Sequence, residues 1–312
     1  MPRHRAHLEL HLAVAVLSLT AILGKLLHMG VVQAIAGRSA IAAAALGLVL
    51  LARGDALRLP HRGDQRWNLI AGVLLALHWI TFFQAVRTGS VAVGMLGLFT
   101  FPVMLTFLEP LVFREPLKRW SVVHGLVVLA GLALVVPELS LSNAETAGLA
   151  WGMLSAALYA VRNLMNRRFV HAHGSMRVMF WQVLVAGVVL SPALLVPSGA
   201  NWPIDLLWLL VLGVLCTAMA HTMFIASFRH FRVATASIIL TLEPLYAAAL
   251  AIPIFGEWPS WQTCVGGAII LAAIAHESYR HGRVVDRPDP GPRARHPDAS
   301  RRDQSSPRSS AS

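Results

Sequence analysis

The sequence predicts an all-α integral membrane protein with ten transmembrane helices arranged as two inverted five-helix repeats. Composition is the first reason: 56% of the 312 residues are hydrophobic and only 13% are charged, too few charges to cover the surface of a soluble protein of this length. The second reason is a series of apolar segments about as long as a bilayer is thick. The third is an internal duplication that relates one half of the chain to the other.

Ten apolar segments follow one another, and most are separated by loops too short to hold a domain. About 20 helical residues cross the roughly 30 Å hydrocarbon core of a bilayer. The first segment is interpreted as a retained span and not as a signal peptide, because no small-x-small cleavage site follows it and Lys25 and His28 lie at that position. The segments cover approximately residues 8–27, 31–52, 68–86, 90–113, 120–137, 147–166, 178–197, 205–228, 233–255 and 260–278.

The duplication is clearest in the stretch from Val233 to Glu257, which repeats the stretch from Val91 to Glu115 at a distance of 142 residues (257 − 115). Each copy carries a proline within its apolar run, and we expect each proline to break its helix. The matched pairs are Pro102 with Pro244, Glu115 with Glu257, Phe82 with Phe224, Arg87 with Arg229, Val91 with Val233, Phe113 with Phe255 and Gly125 with Gly267.

Lysine and arginine are concentrated in alternate connecting segments, and this asymmetry sets the predicted orientation. Loops on one side hold most of them, whereas the loops on the other side hold Arg87 alone. Positive residues mark the cytoplasmic side, so we expect a multi-pass protein of the plasma (inner) membrane with both termini in the cytoplasm. The net charge of +11 therefore reports topology. No basic groove interleaved with aromatic residues indicates a nucleic-acid partner.

Each predicted repeat contains five spans, so the second copy must cross the membrane upside down relative to the first. Inverted repeats of this kind are an architecture of secondary transporters, which place the substrate site near the midplane between the halves. We predict a first five-helix repeat over residues 1–139, a second over 140–279 and a disordered Arg-rich cytoplasmic tail over 280–312. The tail composition cannot bury enough apolar surface to fold.

Two motifs carry a family resemblance: a helix-four proline followed by a glutamate at the next turn, and a Gly-rich fifth helix. They read F-R-E-P-L…G-L-V-V-L-A-G-L and F-G-E-W-P…G-G-A-I-I-L-A-A. The pattern resembles the drug/metabolite transporter superfamily, specifically its EamA-type members, over residues 8–278. One departure is Arg114, where the second half has Gly256. The resemblance implies a central cavity lined by helices one, three, four, six, eight and nine, and substrates that vary from amino acids to other small metabolites.

Glu243 is the leading candidate for a substrate-binding or coupling residue. It lies near the centre of the ninth span, next to Pro244, and ionisable groups within spans are costly enough to mark functional sites. The alternative is a structural carboxylate that hydrogen-bonds to a neighbouring helix. Glu109 lies near the end of the fourth span, where a structural and a site role remain equally open. Glu115 and Glu257 are interpreted as caps for the helices that follow them.

Two histidines lie past the midpoints of their spans, His78 in the third and His221 in the eighth. Each is either a site residue or a satisfied core histidine. The repeat places His221 opposite Trp79. Aromatic residues at helical spacing around them suit a partly apolar organic substrate, although ordinary packing explains them equally well. These aromatic candidates are Trp79, Phe83 and Tyr246.

Two basic residues, Lys25 and Arg38, lie toward the predicted external ends of the first two spans. They are candidates to receive a carboxylate or phosphate, with snorkelling and bridging of the helix pair as the alternative. Cys216 and Cys264 both lie in apolar runs and are expected to be buried thiols.

The sequence thus predicts a secondary transporter that moves a small organic metabolite by alternating access, with proton-coupled export as the expected mode. The alternative is a structural or receptor-type membrane protein without transport activity. No P-loop, HExxH, CxxC or GxSxG motif indicates an enzyme, and no cofactor or metal is expected. The expected partners are a small-molecule substrate and the lipid bilayer, while the oligomeric state stays open.

Proton coupling is assigned to Glu243 and His221 as a hypothesis. A tight turn expected near His230 and Phe231 lies about ten residues after His221 and about twelve before Glu243. On antiparallel helices this difference is about 3 Å along the axis, so the two side chains would share one level of the membrane. Proton binding there would compete with a cationic or zwitterionic substrate group.

Overall fold

The computed structural model describes residues 3–58, 62–113, 119–135, 140, 142–197, 199–227 and 239–285, and all regular secondary structure in these ranges is helical. The N-terminal half contributes α1 to α6 and the C-terminal half α7 to α12. The helices are α1 (Arg3–Leu26), α2 (Val31–Ala52), α3 (Arg62–Thr88), α4 (Val91–Leu98), α5 (Phe101–Phe113), α6 (Arg119–Val135), α7 (Ala144–His173), α8 (Ser175–Leu190), a 3₁₀ turn (Ser191–Leu195), α9 (Ile204–Leu210), a π-helical segment (Val211–His221), α10 (Thr222–Ser227), α11 (Glu243–Phe255) and α12 (Trp261–Val285).

Every apolar segment of the sequence contains helix, and five helical stretches are long and apolar enough to cross a membrane: His7–Leu26, Val31–Ala52, Gly63–Thr88, Ser175–Leu195 and Ile204–Phe224. Shorter apolar helical stretches cover Val91–Leu105 (parts of two helices), Val122–Val135, Glu243–Phe255 and Trp261–His276. The last helix, α12, runs to Val285, past the predicted boundary at residue 279. The start of the predicted tail is therefore helical instead of disordered. Basic side chains are compatible with a helix C-terminus.

The fourth apolar segment is not one helix but two, because the chain turns between Leu98 and Phe101. Pro102 is the second residue of α5, and Pro244 is the second residue of α11. Proline fits the first turn of a helix, where its missing N–H has no intrahelical partner. The 142-residue shift relates Phe101 to Glu243, so the first residues of the two half-helices correspond.

The backbones of the two halves come into close contact where α4 meets α7. A Cβ built on Gly152 of α7 would lie 2.8 Å from the carbonyl oxygen of Gly94 and 3.0 Å from the Cα of Gly97, both on α4. Small residues permit this kind of backbone contact between membrane helices. The helix α3 also packs along α7, and α2 along α8, so the interface between the halves runs through the centre of the bundle.

At one end of the bundle, which we call the Glu257 end, polar contacts join the halves. Glu257 pairs with Lys25 of α1 and accepts a hydrogen bond of 2.8 Å from the backbone N–H of Val91 at the start of α4. The prediction that Glu257 caps the helix following it is therefore wrong. Ser260 caps α12 by accepting from the Thr263 N–H at 3.1 Å, while Glu257 satisfies a helix start in the other half.

Arg87 secures the connection between α1 and α2 at the same end. Its guanidinium donates to the carbonyl oxygens of Gly24, Leu27 and Met29, each at 2.8 Å. Gly24 lies in the last turn of α1, while Leu27 and Met29 follow its end. A cation at a helix C-terminus is favourable. Arg87 therefore has a clear structural role.

The outer surface is largely apolar, with exposed leucine, valine and tryptophan side chains on most of the helices. Such a surface fits lipid contact. Cys216 is buried, as expected, but Cys264 is exposed on α12, so the prediction of two buried thiols is wrong for Cys264. In a membrane protein an apolar run fits the lipid-facing surface as well as the interior.

Candidate functional site

A cavity of about 40 Å³ lies in the core between the halves. This volume admits water but not an organic molecule, since ligand pockets measure roughly 300–1,000 Å³. Its walls come from the first, third, fourth, sixth, eighth and ninth spans, the six that the family resemblance implies. The lining residues are Leu17, Thr20, His78, Trp79, Phe82, Leu98, Phe99, Phe101, Tyr159, His221, Phe224, Leu240 and Glu243.

Most of these residues form pairs related by the 142-residue shift of the sequence repeat. A position that faces the cavity in one half thus has a counterpart that faces it in the other. This is the pattern expected where an axis relating two repeats passes through a site. The pairs are Leu17 with Tyr159, Trp79 with His221, Phe82 with Phe224, Leu98 with Leu240, and Phe101 with Glu243.

Glu243 enters the cavity as the first residue of α11. A helix start is favourable for a negative charge, because its free N–H groups and the helix dipole point toward it. Pro244 follows and fixes the backbone at this start. The break before α11 therefore places a carboxylate inside the bundle, at the beginning of a helix and not along its side.

His78 is held by α7 across the interface between the halves. Its Nδ1 lies 2.7 Å from Ser155 Oγ, and that hydroxyl also donates to the His78 carbonyl oxygen at 2.8 Å. The Tyr159 ring stacks on the imidazole with centroids 4.6 Å apart. These contacts fit the interpretation of His78 as a satisfied core histidine that ties α3 to α7 while one edge lines the cavity.

His221 lies at the end of the π-helical segment, and its ring centroid is 6.0 Å from that of Trp79. π-helical turns are rare overall, and those that occur are often found at functional sites. Both His221 and Glu243 line the cavity, but no hydrogen bond joins them among the described residues. The turn expected near His230 lies outside the described residues.

Arg38 lies deep in the core beside this wall. Its side chain is 0% exposed, and its guanidinium carbon is 4.1 Å from the centroid of the Trp79 ring. The guanidinium donates from Nε at 3.1 Å and from Nη2 at 2.7 Å to the Thr217 hydroxyl. Snorkelling and bridging of the helix pair, the alternative to a site role, do not describe Arg38, because α2 turns this side chain inward toward the π-helical segment.

A second buried arginine, Arg162, lies three residues after Tyr159 on α7. Its guanidinium carbon is 5.8 Å from the tyrosine ring centroid. It donates from Nε to Gln182 Oε1 at 2.8 Å. The Gln182 amide in turn donates to Asn166 at 2.6 Å and Asn68 at 3.0 Å. The guanidinium and the three amide side chains together link α3, α7 and α8.

Comparison with known proteins decides the family. The model of the EamA-like transporter family matches the chain twice, over residues 5–136 and 146–276. The chain belongs to the EamA-like transporter family. The two matches coincide with the two halves seen in the structure.

Relatives of this EamA-like protein are named as transporters. YwfM of Bacillus subtilis, an uncharacterized transporter, is 24% identical over 265 residues, which make up 78% of this chain and 87% of YwfM. An S-adenosylmethionine uptake transporter of Rickettsia felis is 25% identical over 229 residues, 70% of this chain and 74% of that protein. A solved crystal structure shares the fold, with a TM-score of 0.63 at 18% identity over 90% of this chain and 99% of its own.

The structure brings four of the predicted EamA-like site residues to the cavity: Glu243, His221, His78 and Trp79. Phe83 is fully buried 5.6 Å from the Arg38 guanidinium, and Tyr246 packs against the core, so neither lines the cavity. Lys25 is engaged with Glu257 and donates to the Gly89 carbonyl oxygen at 3.3 Å. The side chain of Glu109 and all of Glu115 lie outside the described residues.

Sequence reasoning missed Tyr159, Phe82, Phe101 and Arg162. All four had a usable signal. Phe82 was matched with Phe224 by the repeat, Phe101 is one shift from Glu243, and Tyr159 is one shift from Leu17 in the first span. Arg162 had the signal of an ionisable residue within a span.

Proposed function

We propose that this EamA-like protein is a secondary transporter that moves a small organic metabolite across the plasma (inner) membrane by alternating access. The observation that carries the proposal is the set of shift-related pairs lining one cavity. A site built symmetrically from both halves is the arrangement that inverted-repeat carriers use, since rocking one half against the other exposes the same residues to each side in turn.

The small volume of the present cavity supports the same mechanism. It has room for water but not for a metabolite, so substrate entry requires the halves to separate at one end. The contacts of Glu257 with Lys25 and Val91 hold the halves together at the end where they lie. At the opposite end, Asp64 at the start of α3 and His173 at the end of α7 lie 2.9 Å apart, so opening at either end must break polar contacts between the halves.

Proton coupling at Glu243 and His221 completes the proposal, with export as its direction. Both residues line the cavity, and both exchange a proton with water when the cavity opens. A carboxylate inside a membrane protein is costly and serves a function by default. The ten-span topology with two inverted repeats and both termini in the cytoplasm belongs to this proposal.

The test is flux in proteoliposomes containing the purified chain. A metabolite screen of cells with and without the chain identifies candidate substrates, and S-adenosylmethionine is included because a relative carries that name. We expect uptake or efflux that saturates with substrate and depends on a pH gradient. Substrate flux equal to that of empty liposomes would favour a structural or receptor-type protein. Flux that ignores the gradient would leave a transporter without proton coupling.

A further inference from the structure

We propose that the transported substrate carries a free carboxylate, and that Arg38 is the residue that binds it. The substrate class is therefore small organic acids and amino acids. This inference rests on the proposed transport function and adds the chemical group that the site recognises.

The hydrogen bonds of Arg38 are the first reason. Its Nε and Nη2 share a single acceptor, the Thr217 hydroxyl. Its Nη1 is buried without a hydrogen-bond partner among the described residues. An unsatisfied donor on a buried cation is expensive, so the guanidinium retains an unused capacity for an acceptor.

The balance of charge near the cavity is the second reason. Arg38 and Arg162 are 0% and 2% exposed, and neither forms an ion pair with a carboxylate within the described ranges. Glu243 is the one carboxylate among the residues that line the cavity. Two guanidinium groups against one carboxylate leave a surplus of positive charge. A buried charge requires compensation, and an anionic substrate provides it.

Trp79 connects Arg38 to the cavity. Its indole lines the cavity and packs against the guanidinium. Because the cavity must widen to admit a metabolite, the aromatic wall that includes Trp79 has to move, and Arg38 is the charged group next to it. Arginine is suited to this task because its planar fork binds the two oxygens of a carboxylate at once.

The charge of the substrate changes the expected coupling. A carboxylate substrate is repelled by ionised Glu243 and tolerated once Glu243 binds a proton. Proton and substrate therefore bind together, and by linkage each increases the affinity of the other. Joint binding carries proton and carboxylate in the same direction, so for such a substrate an inward proton gradient drives uptake, in place of the export that competition with a cationic substrate would give. The titratable and charged groups on the elements around Glu243 are Lys25 on α1, Arg38 on α2, His78 on α3, Tyr159 and Arg162 on α7, and Cys216 and His221 on the π-helical segment.

The experiment measures thermal unfolding of the purified full chain in lipid nanodiscs. The probes are amino acids, monocarboxylates and dicarboxylates at millimolar concentration. Each is tested beside its carboxamide, and the amino acids are also tested beside their decarboxylated amines. A ligand that binds the folded state raises Tm. We expect at least one carboxylate to raise Tm where its carboxamide and amine do not. If no carboxylate does so, or if an amide or amine matches it, the inference is overturned, while flux in proteoliposomes still decides the transport function.

Variants then assign the carboxylate to Arg38. Arg38→Gln is expected to lose the Tm increase, and Arg38→Lys to keep a smaller one because it retains charge without the fork. Arg66→Gln makes the same chemical change on an exposed arginine and should behave as the parent. An undiminished increase in a folded Arg38→Gln variant overturns the assignment. If that variant does not fold, an Arg38→Lys increase equal to that of the parent overturns it instead.

The pH dependence tests the coupling. In the parent, the carboxylate-induced increase in Tm should grow as the pH falls, whereas in Glu243→Gln it should be large at every pH. An increase that grows with rising pH in the parent, or that keeps its full pH dependence in Glu243→Gln, contradicts joint binding of proton and carboxylate.

Discussion

The two walls of the cavity use equivalent positions of the repeat but carry different chemistry. At three of the five shift-related pairs, the N-terminal half supplies Leu17, Trp79 or Phe101, and the C-terminal half supplies a residue with a hydroxyl, an imidazole or a carboxylate. The other two pairs are identical, phenylalanine with phenylalanine and leucine with leucine. The duplicated scaffold thus places equivalent positions around one cavity, while most of the groups able to bind a proton lie on one side of it.

His78 is the exception that clarifies the comparison. It is a polar residue of the N-terminal wall, yet Ser155 holds its Nδ1 and Tyr159 stacks on its ring. Its hydrogen-bonding capacity is directed across the interface between the halves. The N-terminal wall therefore shapes the cavity and anchors the C-terminal wall, which carries the groups that the proposed proton coupling uses.

The largest effect should come from removing the carboxylate of the C-terminal wall. Glu243→Gln keeps the size of the side chain but cannot exchange a proton, so we expect gradient-driven accumulation in proteoliposomes to be abolished while exchange of substrate persists. Phe101→Leu, at the shift-related position, is the matched control and should retain accumulation. Accumulation by Glu243→Gln at the parental level would mean that the walls do not differ in the way proposed.

The sequence repeat shows which positions of the two halves correspond, but not which of them face the cavity. The 142-residue shift and the two prolines can be read directly from the sequence, and they predicted that both helix breaks occupy equivalent positions. Which face of a helix points inward is not fixed by an almost uniformly apolar segment. For this reason Arg38 was placed toward a helix end although it is buried, and Cys264 was placed inside although it is exposed.

Contacts between distant segments were the second limit. The partner of Glu257 is a helix start 166 residues earlier in the chain, and no local pattern connects the two. The capping rule assigned Glu257 to the nearest helix in the sequence, whereas its actual partner is the start of a helix in the other half.

His221 provides the next largest expected effect. His221→Ala removes the imidazole that lies opposite Trp79. Loss of the polar contact between this imidazole and the substrate, worth about 1–3 kcal/mol, predicts a rise in substrate KM of roughly tenfold or more. Trp79→Phe keeps an aromatic wall and should change KM less. Initial rates of uptake at varied substrate concentration measure both. Equal effects of the two substitutions would place the same chemistry on both walls.

Ser155→Ala should separate anchoring from transport. It removes the hydroxyl that contacts His78 Nδ1 and donates to the His78 carbonyl oxygen, while the Ser155 carbonyl oxygen stays 3.1 Å from Nδ1. Loss of a buried hydrogen bond costs about 0.5–1.5 kcal/mol, so we expect a lower Tm with nearly parental KM. Ser18→Ala, on a buried serine whose hydroxyl donates to the Ala15 carbonyl oxygen within its own helix at 2.7 Å, is the control and should lower Tm less. A large increase in KM for Ser155→Ala with unchanged Tm would assign His78 to substrate binding.

The smallest effects should come from the identical pair, and here the two walls should agree. Phe82 and Phe224 both line the cavity at equivalent positions. Replacing either by leucine keeps an apolar surface and removes ring contacts worth about 0.5–1 kcal/mol, which corresponds to a KM change of roughly threefold. Because the same residue contributes the same surface from each half, Phe82→Leu and Phe224→Leu should give similar KM values and leave the dependence on the pH gradient intact. A tenfold difference between them would show that the walls also differ in how they contact the substrate, and that the asymmetry extends beyond the groups that bind a proton.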